Sequence, residues 1–368
     1  MIVTGERMMS VSRFAWVVLG AVLLSACAAA PPAPTPTVER VWPLPPDPPR
    51  IAYVKSLTGP EEARSKKGWF RRTLERLVGQ GEAPPRMIRP FGMFVDEAGV
   101  LFVTDTGLQV VHRFDPEGGG YRQVFRMSGG RRLLSPVGVA EDRDRLLYVA
   151  DSQLNRVVVF DPKGVFLREV VADGDAVRVA GVAYHPGRDA LYVSDAGGHR
   201  ILVYGRDGRK IGGFGRRGRE NGAFNFPTHL AVDPAGHLYV TDSMNFRVQV
   251  LDPDGAWTRS IGQLGETLGT FSKPKGVGLD RHGHVYVVDG LYDTVQIFTA
   301  DGDLLLNFGN AGTVEGAFWL PAGIAVDRQD RIYVADTYNA RVQVFRLLDA
   351  TLPTDAAPAG AGQMSNVR

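Results

Sequence analysis

Cysteine occurs once in the 368 residues, at Cys27. A single thiol excludes any intrachain disulfide framework and any cysteine-based zinc cluster. A surplus of charge is missing too: 42 basic against 40 acidic residues leave a formal net charge of +2, whereas a dedicated nucleic-acid binder usually carries a strong basic excess. The apolar run FAWVVLGAVLLSA, residues 14–26, would reach only about 20 Å as a helix, short of a ~30 Å hydrocarbon core. Preceded by Arg7 and Arg13, it reads as the apolar centre of a secretory signal peptide over residues 1–26. Glycine is what the chain has in abundance: 44 of 368 residues, about 12%, against roughly 7% in ordinary globular chains. With no collagen period to absorb it, that glycine belongs to turns, and many turns imply many short strands. An apolar content of 44% is enough to bury a core.

The apolar run ends in Leu24-Ser25-Ala26-Cys27, which resembles a bacterial lipobox. The resemblance implies that Cys27 is acylated and becomes the first residue of an exported, membrane-anchored lipoprotein facing the periplasm or the cell exterior. Ala28 after the cysteine implies outer-membrane sorting in a Gram-negative envelope. Residues 28–49 hold nine prolines, so residues 27–50 are expected to be an extended tether without a packed core. The tail, residues 350–368, is small, polar and expected to be disordered.

Between tether and tail the sequence repeats. VTDTGLQVVHRFD (103–115), VADSQLNRVVVFD (149–161), VSDAGGHRILVYG (193–205), VTDSMNFRVQVLD (240–252), VVDGLYDTVQIFT (287–299) and VADTYNARVQVFR (334–346) align without gaps, their aspartates 46, 44, 47, 47 and 47 residues apart. Four candidate strands per unit of this length predict an all-β, six-bladed propeller over residues 51–349. The fullest units, with lead-ins GAFNFPTHLAVD (222–233), GTFSKPKGVGLD (269–280) and GAFWLPAGIAVD (316–327), resemble the NHL-repeat family. The sixth unit has no fourth strand of its own, which would leave an exposed edge. IAYVKSL, residues 51–57, is short and β-prone and is expected to fill that place as the outermost strand of the last blade. A basic amphipathic helix over residues 61–79, inside an insert spanning 58–89, is expected to pack on one face of the ring.

Candidate site residues follow from the repeat. Asp151 with Arg156, Asp195 with Arg200, Asp242 with Arg247, and Asp336 with Arg341 share one spacing, which suits loop clamps made by charge-assisted hydrogen bonds. The loops they enclose vary: Leu108, Gln109, Leu154, Asn155, His199, Met244, Asn245, Phe246, Tyr292, Asp293, Tyr338 and Asn339. Apolar and aromatic side chains on repeated loops point to a partner-binding face. On the axial strands five units carry glycine (Gly92, Gly138, Gly181, Gly276 and Gly323), where the fourth has His229. His229 is expected to be a hydrogen-bonded channel residue, because a zinc site needs about three protein ligands and no other histidine recurs at this level. The basic stretch 206–220 reads as a solvated face or one meeting an acidic surface.

These readings favour a non-enzymatic binding or scaffold propeller that recognises a protein, peptide or envelope component and is tied to a membrane by lipid. No nucleic-acid partner, no cofactor and no catalytic residue is expected. The alternative is a metal-dependent lyase or hydrolase, similar to amidating lyases or lactonases, with zinc or calcium at the channel.

Overall fold

The computed structural model describes residues 40–60, 86–115, 120–124, 130–171 and 174–349. The signal peptide expected at 1–26, Cys27, the helix expected at 61–79 and the tail 350–368 lie outside the described residues. Five sheets have four antiparallel strands and one has five. Counting blades from the first complete repeat, the innermost strands are Pro90–Val95, Pro136–Glu141, Val179–His185, Pro227–Val232, Pro274–Leu279 and Ile324–Val326. Each touches the next, and the sixth touches the first, so the sheets close into a ring of six. A short 3-10 helix, Ser243–Asn245, lies in a loop of blade four. Among the described residues, no helix is long and apolar enough to cross a membrane.

The repeat produces this ring through its turns and its seams. Gly164, Gly208, Gly255 and Gly302 sit between the third and fourth strands at φ of 83°, 88°, 88° and 101°, a region closed to most side chains. The buried apolar residues form six clusters, and each cluster draws on two neighbouring blades. The core is therefore a set of seams between sheets, and no blade buries its apolar faces alone.

Blade six is completed from the other end of the chain. Ile51–Leu57 pairs antiparallel with Arg341–Leu347, from Ile51 opposite Leu347 to Leu57 opposite Val342. It is not the outermost strand, because Val41–Trp42 adds a fifth on its far side. Residues 40–50 are accordingly part of the folded body, which corrects the expectation of a free tether as far as residue 50. The physical cause is Trp42, whose ring lies 6.1 Å from Phe308 and 5.7 Å from Phe345. The expected insert over 58–89 is pinned at its base, where the Met87 amide donates to the Thr58 carbonyl at 2.8 Å and Met87 is buried.

Candidate functional site

The loops between second and third strands share one face of the ring with the segments that lead into each innermost strand. The six repeat aspartates build this face from below. Asp105, Asp151, Asp195, Asp242, Asp289 and Asp336 are fully buried. Each accepts backbone N–H groups from the lead-in segment of its own blade, as Asp151 does from Leu134 at 2.7 Å and Ser135 at 3.0 Å. Asp289 does the same with Ser272 at 2.7 Å and Lys273 at 3.1 Å. Three of the expected Asp–Arg clamps form: Asp195–Arg200 at 3.1 Å, Asp242–Arg247 at 2.9 Å and Asp336–Arg341 at 2.7 Å. The fourth does not. Arg156 turns to Glu169, 3.6 Å away, and Asp151 is held by the backbone amides of Leu134, Ser135, Gln153 and Leu154 instead.

The fourth residue after each aspartate adopts the left-handed region: Gln109, Asn155, His199, Phe246, Asp293 and Ala340, at φ of 51° to 61°. Four of these reach across to the next blade. Gln109 donates to the Leu134 carbonyl at 3.2 Å. Asn155 donates to Ala176 at 2.8 Å and accepts from the Val179 amide at 2.9 Å. His199 Nδ1 accepts from Phe226 at 3.3 Å, and Asp293 from Leu320 at 2.6 Å. These four expected partner-binding residues are thus staples across seams. Asn245, Tyr292 and Asn339 are also spent internally, donating to the carbonyls of Gly218, Gly265 and Gly312 at 2.8, 3.2 and 2.9 Å. Leu154 packs on the core between blades one and two, and Leu108 is half-buried.

Met244 and Tyr338 are left on the surface, each 52% exposed, with half-buried Phe246 beside them. Sequence reasoning missed their neighbours Leu291, Trp319, Phe226, Ile88 and Val177, all exposed on the same face. A positional signal was present: Met244, Leu291 and Tyr338 each stand two residues after a repeat aspartate, where blades one to three have Gly107, Gln153 and Gly197. Trp319 and Tyr338 lie 5.6 Å apart as a ring pair. Sequence reasoning also passed over Gln249, Gln296 and Gln343, which hold the lead-in loops. Gln249 Nε2 bonds the Ala223 carbonyl at 2.7 Å and Gln343 Nε2 that of Ala317 at 2.6 Å. Both the glutamine and the Gly-x-Phe lead-in mark blades four to six.

The axis is obstructed at the level of the channel glycines. A methyl added at Gly92, Gly181 or Gly323 would come within 2.3, 2.1 and 2.1 Å of the next blade's carbonyl oxygens, so glycine is required by the close approach of innermost strands. His229 departs from this pattern. Its ring stacks 5.7 Å from Phe91 of blade one across the axis. Neither ring nitrogen is accessible or has a hydrogen-bond partner among the described residues, which corrects the expectation of a hydrogen-bonded imidazole. Burial, with Lys275 nearby, pulls its pKa down to about 4, so the ring is neutral. Beyond this pair, toward the opposite face, the axis widens into a cavity of about 260 Å³ lined by the later halves of the six innermost strands, with Glu141 among them. Burial, together with Asp96, raises Glu141 to about 7. Among the described residues, no group of three His, Cys, Asp or Glu side chains is arranged to hold a metal.

The NHL-repeat family model matches residues 224–251 and 318–345, the units of blades four and six. The chain is an NHL-repeat propeller. Several solved structures resemble this NHL propeller at low identity. A catalytically inactive virginiamycin B lyase from Staphylococcus aureus with quinupristin is 13% identical with a TM-score of 0.53, over 71% of this chain and 95% of that one. An auxiliary nutrient binding protein from Bacteroides thetaiotaomicron is 14% identical with a TM-score of 0.57, over 70% and 69%. A chain of a nidogen–laminin complex is 22% identical with a TM-score of 0.50, over 67% and 84%. These likenesses establish the fold alone. No curated protein matches the chain.

The basic stretch 206–220 is partly used inside the NHL propeller. Arg206 pairs with Asp142 at 3.0 Å and with Asp144, and Lys210 lies 3.5 Å from Asp175. The Arg206 pairs tie blades two and three at the rim, and all of these pairs reduce the charge left for a partner.

Proposed function

We propose that this propeller is a binding module that recognises a protein or peptide through the face of its second-to-third-strand loops, above all in blades four to six. The observation that carries this reading is the placement of exposed apolar side chains. Of the 17 large apolar residues exposed among the described residues, ten lie on this face: Ile88, Val177, Phe226, Met244, Leu264, Leu268, Leu291, Val314, Trp319 and Tyr338. Apolar surface gathered on one face of a rigid scaffold marks an interaction site. The loops beneath are over-determined by buried aspartates and seam hydrogen bonds, so little ordering entropy opposes binding. The signal-peptide-like apolar run 14–26 and the lipobox-like Leu24-Ser25-Ala26-Cys27 support a module exported and tethered by lipid at Cys27.

Replacing Met244, Leu291 and Tyr338 together with aspartate tests the reading. All three side chains project to solvent, so thermal unfolding is expected to be unchanged while the protein partner of the intact chain is lost. Retained binding by the triple variant would remove the proposal. Cys27→Ser is expected to release the chain from the membrane fraction, and acyl mass on the mature N-terminus checks the anchor directly.

A further inference from the structure

We propose that the centre of this face is a carboxylate-binding site, with Lys275 as its anchoring cation and an acidic peptide with an apolar flanking residue as its occupant. This deepens the binding-face reading and rests on it. Lys275 is the second residue of the innermost strand of blade five, directly before Gly276. Among the described residues its ammonium has no ion pair and no hydrogen bond; its close neighbour is the face of Phe91, 5.9 Å from Nζ to the ring centroid. Asp289 and Asp293 act on the ammonium only from beyond contact distance, and a half-buried lysine without a contact ion pair lacks the partner that would fully offset its desolvation.

The site is built for that side chain. The residue after each repeat aspartate is Thr106, Ser152, Ala196, Ser243, Gly290 and Thr337. Ser243 and Thr337 use their hydroxyls to tie the next blade, donating to the carbonyls of Pro274 at 3.2 Å and Pro90 at 2.8 Å. Blade five has glycine instead, and the stem of Lys275 lies over it. A methyl at Gly290 would stand 2.7 Å from Lys275 Cε and 2.9 Å from the Pro321 carbonyl oxygen. Gly290 therefore gives up a seam hydrogen bond and makes room for the lysine. The Phe91–His229 pair closes the axis here, so a ligand enters from the loop face and stops.

The surroundings select an anion. The residues just before the innermost strands of blades one, three and five are Arg89, Arg178 and Lys273, all exposed and none in an ion pair among the described residues. In the alternate blades the same position holds Ser135, Phe226 and Leu320. The acids of this level are already engaged, the repeat aspartates by buried amides and Asp293 by Leu320. Trp319, Tyr338 and Phe226 supply an apolar rim, with Arg89 6.0 Å over the Tyr338 ring. Lys275 with Lys273 beside it, and Arg89 and Arg178 exposed on the same face, suit a single carboxylate with an apolar neighbour. A nucleic-acid strand would need a charged groove along which to run.

Burial, reinforced by Lys273, lowers Lys275 to about 8, so an amine reagent reads its state near neutral pH. The groups facing it are Lys273, Asp289, Asp293 and the neutral His229. The experiment is modification of the full chain with trinitrobenzenesulfonate, followed at each lysine by mass spectrometry, with N-acetylphenylalaninate or its amide present. A millimolar site would be about nine-tenths occupied at about 10 mM probe, slowing Lys275 about tenfold. The expected result is that slowing with the carboxylate, none with the amide, and no change at Lys55 or Lys163. It should weaken as pH rises through about 8, and Gly290→Ala should remove it. No slowing, equal slowing by both probes, or equal protection by a single-stranded RNA would overturn the site. Retained Lys275 protection with no partner lost in the Met244, Leu291 and Tyr338 variant would instead sink the protein-binding reading alone.

Discussion

Phe246 and Asn155 occupy the same position in two repeats and hold the same left-handed backbone, φ 58° and 55°, yet only one serves the fold. Asn155 makes two hydrogen bonds to blade three, so Asn155→Ala is expected to cost about 2 kcal/mol in chemical denaturation. Phe246 makes no polar tie across its seam, and an aromatic residue in this conformation costs about 1 kcal/mol. Phe246→Gly should leave stability within about 0.5 kcal/mol of the parent while weakening partner binding, a separation that a purely structural role would not produce. Glu141 offers a test in pH. Its carboxyl is raised to about 7 in the folded protein by burial and Asp96, so the folded state holds the proton more tightly than the unfolded one. The stability this contributes is present below the ordinary carboxylate pKa and is lost as pH climbs to about 7. Arg145, 3.7 Å away, and partial solvation reduce the effect. Glu141→Gln is expected to stabilise the protein by on the order of 1 kcal/mol at about pH 8 and to be neutral near pH 4. These roles were illegible in the sequence because a staple is defined by which carbonyl of the next blade lies opposite, and the repeat spacing carries no such information.

The strands are the level at which the sequence was most legible. The aspartate that ends each second strand and the apolar run of each third strand mark these elements, with a turn glycine following in blades two to five, and the structure places them there. The proline-rich segment shows where composition misleads. Nine prolines in residues 28–49 argue for an extended, unpacked chain, and they say nothing of Trp42, whose ring finds Phe308 and Phe345 only once blades five and six are assembled. Trp42→Ala should cost about 2 kcal/mol, less than a fully buried tryptophan because the residue is half-exposed. Deleting residues 40–57 would bare the strand Arg341–Leu347 and uncover Phe345, which is fully buried. That variant is expected to lose its cooperative unfolding transition and to elute as aggregate in size-exclusion chromatography. A soluble monomer with the parental transition would show that the ring is held without this segment.

For the whole molecule, the six-fold repeat conceals two unequal halves. Blades four to six carry the Gly-x-Phe lead-ins, the glutamine clamps and the apolar residues two places after the aspartate; blades one to three lack all three. The half with the most regular framework is the half that exposes Met244, Leu291 and Tyr338, as expected where rigid loops present variable side chains. The measurement that tests this most directly is site-specific photo-crosslinking of the full chain in the cells that produce it, with the photoreactive residue at 244, 291 or 338 and, as reference, at 165 or 167 on the outer edge of blade two. The account predicts one adduct of defined mass, common to positions 244, 291 and 338 and absent from 165 and 167. Adducts of the same yield from both sets, or from the reference set alone, would contradict it.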